Sequence, residues 1–253
     1  MQLGRGKEEE SIEEARDFVS KSGICSIEDV KKKVNEIRTY KLYLRSFILR
    51  RISIELEISR NRPPNEALEW FRDRVYEIQC ASTEMKESGG RTRDIAIKYG
   101  LELAIKLLKE IRKVKDAQAD LRAVNEARCL LDISNICDEE KVLDYAQEGI
   151  EIMERQYGKN AQQYKYYIGL EIIIGKYYAA TFQFRKAEKI FVKCLNLIEE
   201  ASDFDDENQK QDLLNETSRC LEYARLMLTI VETSNAPEQV VGSLVQEKFG
   251  NFR

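Results

Sequence analysis

Turns are what this sequence lacks. A β-rich chain needs turn residues about every eight to twelve positions, and here 3 prolines and 12 glycines serve 253 residues. Between the few breaks, apolar residues recur three, four or seven positions apart, as in Val30, Val34, Ile37, Leu44 and Ile48. That is one stripe of a helix rather than the alternation of a strand. Hydrophobic residues make up 43% of the chain and charged residues 34%, the balance of helices that bury one face and solvate the other. The expectation is an all-α fold of eight or nine antiparallel helices.

The breaks divide the chain. A first helix over Glu8–Ser22 stops at Gly23, and Ser26 with Asp29 opens a long helix over Ile27–Ser59. Pro63 and Pro64 end that helix, because proline disfavours helix in the residue before it. Asn65 is positioned to cap a helix to Glu87, and Ser88-Gly89-Gly90 breaks it. Helices then follow over Asp94–Lys113, Ala117–Ile136, Asp138–Tyr157, Gln162–Ala180, Phe184–Ser202 and Asp206–Thr233. The acidic turn Asp203-Phe204-Asp205-Asp206 suits a helix N-terminus, where negative charge meets the positive end of the dipole. Residues 1–234 are expected to form a single domain, and 235–253 a flexible tail with one short helix.

Composition narrows the function. The chain carries 41 basic and 45 acidic residues, net charge -4, which gives no reason to expect nucleic acid as a partner. No run approaches the roughly 20 apolar residues of a membrane span. Met1–Glu10 is polar and lacks the apolar core of a signal peptide. Cys25, Cys80, Cys129, Cys137, Cys194 and Cys220 form no C-x-x-C pair and read as reduced core thiols of a cytoplasmic protein. The sequence has no histidine, which removes Ser-His-Asp and Cys-His catalysis and histidine-ligated metal. No nucleophile, metal cluster or phosphate loop stands out, so no enzyme, cofactor or metal is expected. Binding to other proteins is the function class left.

Two segments resemble tetratricopeptide repeats. One is Glu139–Met153; the other is Gly175–Leu197, with Gly175, Tyr178, Ala187 and Phe191 at repeat-like spacing. Their offset, Val142 to Ala187, is 45 residues, against about 34 in that repeat, and the upstream half lacks the pattern. A tetratricopeptide-like scaffold binding unphosphorylated peptides is one reading.

A second resemblance runs through more of the chain. Gly175-Lys176-Tyr177-Tyr178, then Arg185-Lys186-Ala187, then Val192–Glu200, then Tyr223–Ile230 occur in the order and spacing of the last helices of the 14-3-3 family. Ile52-Ser53-Ile54-Glu55 resembles a segment ending that family's long third helix, and Arg128-Cys129-Leu130-Leu131 a segment of its fifth. The resemblance covers about Ile27–Thr233. It implies a concave peptide-binding groove and a phosphoserine/phosphothreonine-peptide adaptor that regulates client proteins in signalling. It also sets Arg38, Arg45 and Arg128 on the phosphate-holding positions.

The chemistry is coherent. A phosphoserine carries about -1.5 to -2 charge, and arginine forks suit it. Arg38 and Arg45 are seven residues apart, two helical turns and roughly 10.5 Å along one face. Arg128 would close the cage, with Asp132 one turn on to hold it. Arginines at such spacing are ordinarily the wet face of an amphipathic helix; only the resemblance makes them phosphate ligands. Several positions depart from the family. Cys129 stands where it has a tyrosine, and a thiol is a weak donor. Leu49 replaces a third basic residue, leaving Arg50 or Arg51 as substitutes. Ile172 and Met227 stand at groove positions where the family has asparagines. About 26 residues precede the long helix, so a homodimer would use an altered interface. Phosphorylated client proteins are the implied partners, and the chain's own tail, through Thr233, Ser234 or Ser243, is a further one.

Overall fold

A computed structural model describes residues 43–249, apart from 59, 88–90, 116, 138 and 205. The helix expected over Glu8–Ser22, the Ser26 cap, the long helix before Tyr43, the Gly89-Gly90 break and the Asp138 cap lie outside the described residues. Among those described, the chain is all-α, with nine helices and one 3-10 segment. None of these helices is long and apolar enough to cross a membrane. The chain divides into two compact units between Asn125 and Glu126, where the sequence reading has one domain over 1–234. The division falls inside a continuous helix, so no proline or glycine marks it.

The first unit contains α1 (Tyr43–Glu57), α2 (Pro64–Glu87), α3 (Arg91–Lys113) and the start of α4 (Ala119–Ile136). The α2 helix opens at Pro64, not after Asn65, and the Pro63 carbonyl accepts from the Ala67 N–H at 2.8 Å. Proline suits the first helical position because its fixed φ matches and no N–H is wasted. Arg62 secures the preceding turn: it donates to the Glu57 carbonyl at 3.0 Å and lies 3.9 Å from the Trp70 ring centre. Ile54, Leu68, Val75, Leu103, Leu107 and Ile111 form the buried core of this unit.

The second unit takes the rest of α4 and then α5 (Glu139–Tyr157), the 3-10 segment Gly158–Gln163, α6 (Lys165–Ala180), α7 (Phe184–Glu200), α8 (Glu207–Ser234) and α9 (Glu238–Phe249). From α5 onward each helix packs on the next across a short link, and α6 also reaches α8, as in an antiparallel array. Asp206 caps α8, accepting from the Gln209 N–H at 2.7 Å. Gly158 ends α5 at φ 56, the left-handed backbone that glycine adopts without strain.

The α6 helix is the centre of this unit. Tyr167, Ile168, Leu170, Glu171, Ile172, Ile173, Ile174 and Gly175 are all buried, so it has hardly any wet face. The C-terminal segment, expected as a tail with one short helix, carries α9, packed on α8. Val241 is buried there and Val245 half-buried, in a cluster with Phe184, Met227, Leu228 and Val231.

Candidate functional site

The α6–α7 hairpin is built around one glycine. A Cβ on Gly175 would lie 2.6 Å from Cε1 of Phe191. Phe191 is completely buried, as are Ala187 and Cys194 beside it, so its ring has nowhere to move. Glycine on one helix and small residues on the other thus let two backbones approach. Tyr178 packs on the same core from a half-buried position. The four residues singled out for repeat-like spacing are therefore the packing residues of one hairpin.

A polar chain with buried Tyr167 and Glu171 at its centre crosses this hairpin. Lys193 on α7 donates to Glu171 on α6 at 2.6 Å, and the Tyr167 hydroxyl donates to Glu154 on α5 at 3.1 Å. Burial and the two carboxylates raise the Tyr167 phenol well above the usual tyrosine range. Burial, reinforced by Glu171, pushes the Cys194 thiol up to about 12, so it is inert as a nucleophile.

The turn after α6 shows what the sequence did not announce. The Gln183 N–H donates to the Tyr178 carbonyl at 2.8 Å, and the Phe182 N–H to the Ala179 carbonyl at 3.2 Å. This is a Schellman motif, which wants glycine at the left-handed position. The residue there is Phe182, at φ 59, and a non-glycine in that region is strained by on the order of 1–3 kcal/mol. Its ring packs on the cluster that holds α9. It lies so close to α9 that a Cβ on Gly242 would be 2.2 Å from its Cδ1. A phenylalanine at a glycine position thus faces a glycine at a side-chain position.

These contacts make an apolar seat for α9. Phe184, Met227, Leu228 and Val231 form its floor, Phe182 one end, and Arg185 its charged rim, 3.4 Å from Glu238 and 3.7 Å from Glu232. The link Asn235-Ala236-Pro237 brings α9 back over α8. Asn235 adopts φ 53, and the Pro237 carbonyl accepts from Val240 at 3.0 Å and Val241 at 3.2 Å. No sequence signal marks Phe182; Gly242 within the apolar run Val240–Val245 is the only hint.

The residues expected to hold a phosphopeptide fall elsewhere. Arg38 lies outside the described residues. Arg45 is on α1 in the first unit, its side chain outside the described set. Arg51, on the same helix, is engaged with Glu55 at 3.2 Å and stacks 4.9 Å from the Tyr99 ring centre. Arg128 belongs to the second unit; it is half-buried on α4, 5.7 Å from the Tyr166 ring centre. One turn on, Asp132 is buried, and burial pushes its carboxyl up to about 7, Arg128 acting the other way. Its Oδ2 is buried without a hydrogen-bond partner among the described residues. Cys129, Ile172 and Met227, placed at the pocket and groove by the sequence reading, are 0%, 2% and 1% exposed. They are core residues: Ile172 belongs to the α6 cluster and Met227 to the floor under α9. A peptide cannot touch them while the core is closed. Among the described residues, no group of acidic side chains and cysteines is placed to hold a metal ion.

Comparison of the chain with protein-family models, curated proteins and solved structures finds no match.

Proposed function

We propose that this protein is a non-enzymatic scaffold whose second unit binds unphosphorylated segments of partner proteins, in the manner of tetratricopeptide-like helical hairpins. The observation that carries the reading is the α6–α7 hairpin. Gly175 meets Phe191 at 2.6 Å from the missing Cβ, with Ala187 buried beside it. The same residues stand at tetratricopeptide-like spacing in the sequence. Such hairpins spend their small residues on packing and leave their outer faces for recognition. The exposed apolar residues Val192 on α7 and Leu226 on α8 are what a peptide-binding surface of mixed character offers.

A second reading is a phosphoserine/phosphothreonine-peptide adaptor, which the 14-3-3 resemblance implies. The half-buried Arg128 on α4 favours it, because a guanidinium held beside an aromatic ring is oriented for an anion. The burial of Cys129, Ile172 and Met227 weighs the other way.

Selection from a displayed peptide library, with one pool untreated and one phosphorylated by mixed kinases, separates the two on the full chain. The scaffold reading expects retained peptides in the untreated pool, with affinities unchanged by Arg128→Ala. Retention from the phosphorylated pool alone, lost in that variant, would establish the adaptor instead. Retention from neither pool removes both.

A further inference from the structure

The seat under α9 has the features of a recognition site. It discriminates by shape: only a helix without a side chain at the point facing Phe182 can enter. The nearest ring atoms would be 2.2 and 2.3 Å from a Cβ at Gly242, and Phe182 Cβ itself 2.9 Å. Because the root of the ring is that close, swinging the ring aside gives no relief. Beside the glycine, the seat takes an apolar side chain at Val241, 3% exposed, and another at Val245. Those three positions, i, i+1 and i+4, span about 100° of the helix surface, the width of one packing stripe. At the rim, Arg185 meets the carboxylate of Glu238, three residues before Val241.

The α9 helix fills this seat with little in reserve. Two of its four large aliphatic side chains within Glu238–Gln246, Val240 and Leu244, are 48% and 53% exposed and add little to the docking. Its rim ion pair is one-sided, the Arg185 side chain 67% exposed and that of Glu238 18%, and solvent around the arginine screens it. What holds α9 is largely its attachment through Asn235-Ala236-Pro237, which keeps its local concentration high.

We propose that the seat is the site at which this scaffold takes its partner, and that α9 is its occupant in the unbound chain. The partner is an amphipathic helix with an apolar residue, a glycine and a second apolar residue at positions i, i+1 and i+4, and an acid three residues before the first. This rests on the scaffold reading of the second unit and names its site and ligand class. Self-occupation lowers the apparent affinity for a partner by the fraction of molecules in which α9 is undocked. Binding is therefore weak in the resting chain and strengthens when α9 is released.

The test uses the full chain and a fluorescein-labelled synthetic peptide of residues 236–249. Gly242→Leu in the protein blocks docking of α9 in its own seat. The peptide then binds at least about tenfold tighter than to wild type, and a peptide carrying the same glycine-to-leucine change binds neither protein. Val241→Asp, which brings a carboxylate into the seat, is a second release variant if Gly242→Leu loses helicity or cooperative melting. Hydrogen exchange confirms release as fast exchange confined to α9. Equal peptide affinity for wild type and a folded, released variant overturns the proposal, as does leucine-substituted peptide binding as well as the original. If selected library peptides bind the chain but do not compete with the 236–249 peptide on the release variant, the scaffold reading stands and this site falls. If the release variant retains no library peptide but binds the 236–249 peptide, the seat stands without a foreign partner, and the partner half of the proposal is overturned.

Discussion

The α6–α7 and α8–α9 hairpins have the same plan and different strength. Each turns over a three-residue link, and each link holds a non-glycine residue in the left-handed region, Phe182 in one and Asn235 in the other. The first hairpin seals its interface with Phe191, Cys194, Ala187 and Ile198, all 0% exposed, and adds the close Lys193–Glu171 pair. In the second, the α9 side supplies Val241, Gly242 and a half-buried Val245, with Val240 and Leu244 turned outward. Topology alone therefore does not set firmness. Complete burial of large side chains does, and the contrast makes α7 part of the body and α9 an attachment.

The largest test of that contrast is truncation of one buried residue on each side. Phe191→Ala should destabilise the second unit by about 3–5 kcal/mol, shifting the whole urea transition. Val241→Ala should cost about 1–2 kcal/mol, appearing in hydrogen exchange as faster opening of α9 while α6 and α7 keep their protection. Equal, global effects would erase the distinction.

The pH offers a way to weaken the second unit without touching either hairpin. Asp132 is raised from 3.8 to about 7 in the folded protein. Below its unfolded pKa both states are protonated. Between that value and about 7 the unfolded chain releases a proton that the folded chain keeps, so stability falls as pH rises, then levels off above the folded pKa. The loss is on the order of a few kcal/mol, and Asp132→Asn should abolish most of it in denaturation run from about pH 4 to about pH 8. Because Arg128 favours the ionised carboxylate, Arg128→Ala should carry the decline to higher pH. Through that decline α9 should remain the first element to exchange.

Ion pairs supply a smaller comparison. Lys193→Ala leaves the buried Glu171 without its partner and should cost about 1–2 kcal/mol, reduced by solvent screening because the Lys193 side chain is 42% exposed. Arg185→Ala removes the pairs to exposed Glu232 and to Glu238, whose side chain is 18% exposed, and should shift the midpoint by at most about 1 kcal/mol because the arginine itself is in solvent. The smallest contrast is at the links. Phe182→Gly relieves backbone strain but removes the ring that meets Gly242, for a net loss of about 1 kcal/mol centred on α9. Asn235→Gly, with no such ring to lose, should stay within about 0.5 kcal/mol of wild type. A stabilised Phe182→Gly chain would mean that the ring holds nothing.

Much of this architecture is readable from punctuation. Gly158 ends one helix and Asp206 caps another, because each residue type has a local backbone preference that packing did not override; Pro64, read as part of a helix stop with Asn65 as the next cap, is itself the first residue of α2. The packing of Gly175 with Phe191 follows from spacing in the same way. Cys129, Ile172 and Met227 lie in the core, a depth that likeness to a family, which gives only a register, does not report. The unbroken run Ile172-Ile173-Ile174 already marks a helix buried on every side. Phe182 could not be found at all: its ring is matched to Gly242, 60 residues later, and no local preference of phenylalanine points to it.

The glycine that ends α5 carries a different consequence. Gly158 holds φ 56, and a Cβ placed on it would meet nothing within 4 Å. The obstacle to a side chain there is handedness rather than room. An L-alanine would be strained, whereas its mirror image has that conformation as its natural one. A D-alanine installed at position 158 by ligation would thus fit this chain better than either glycine or any residue the genetic code supplies.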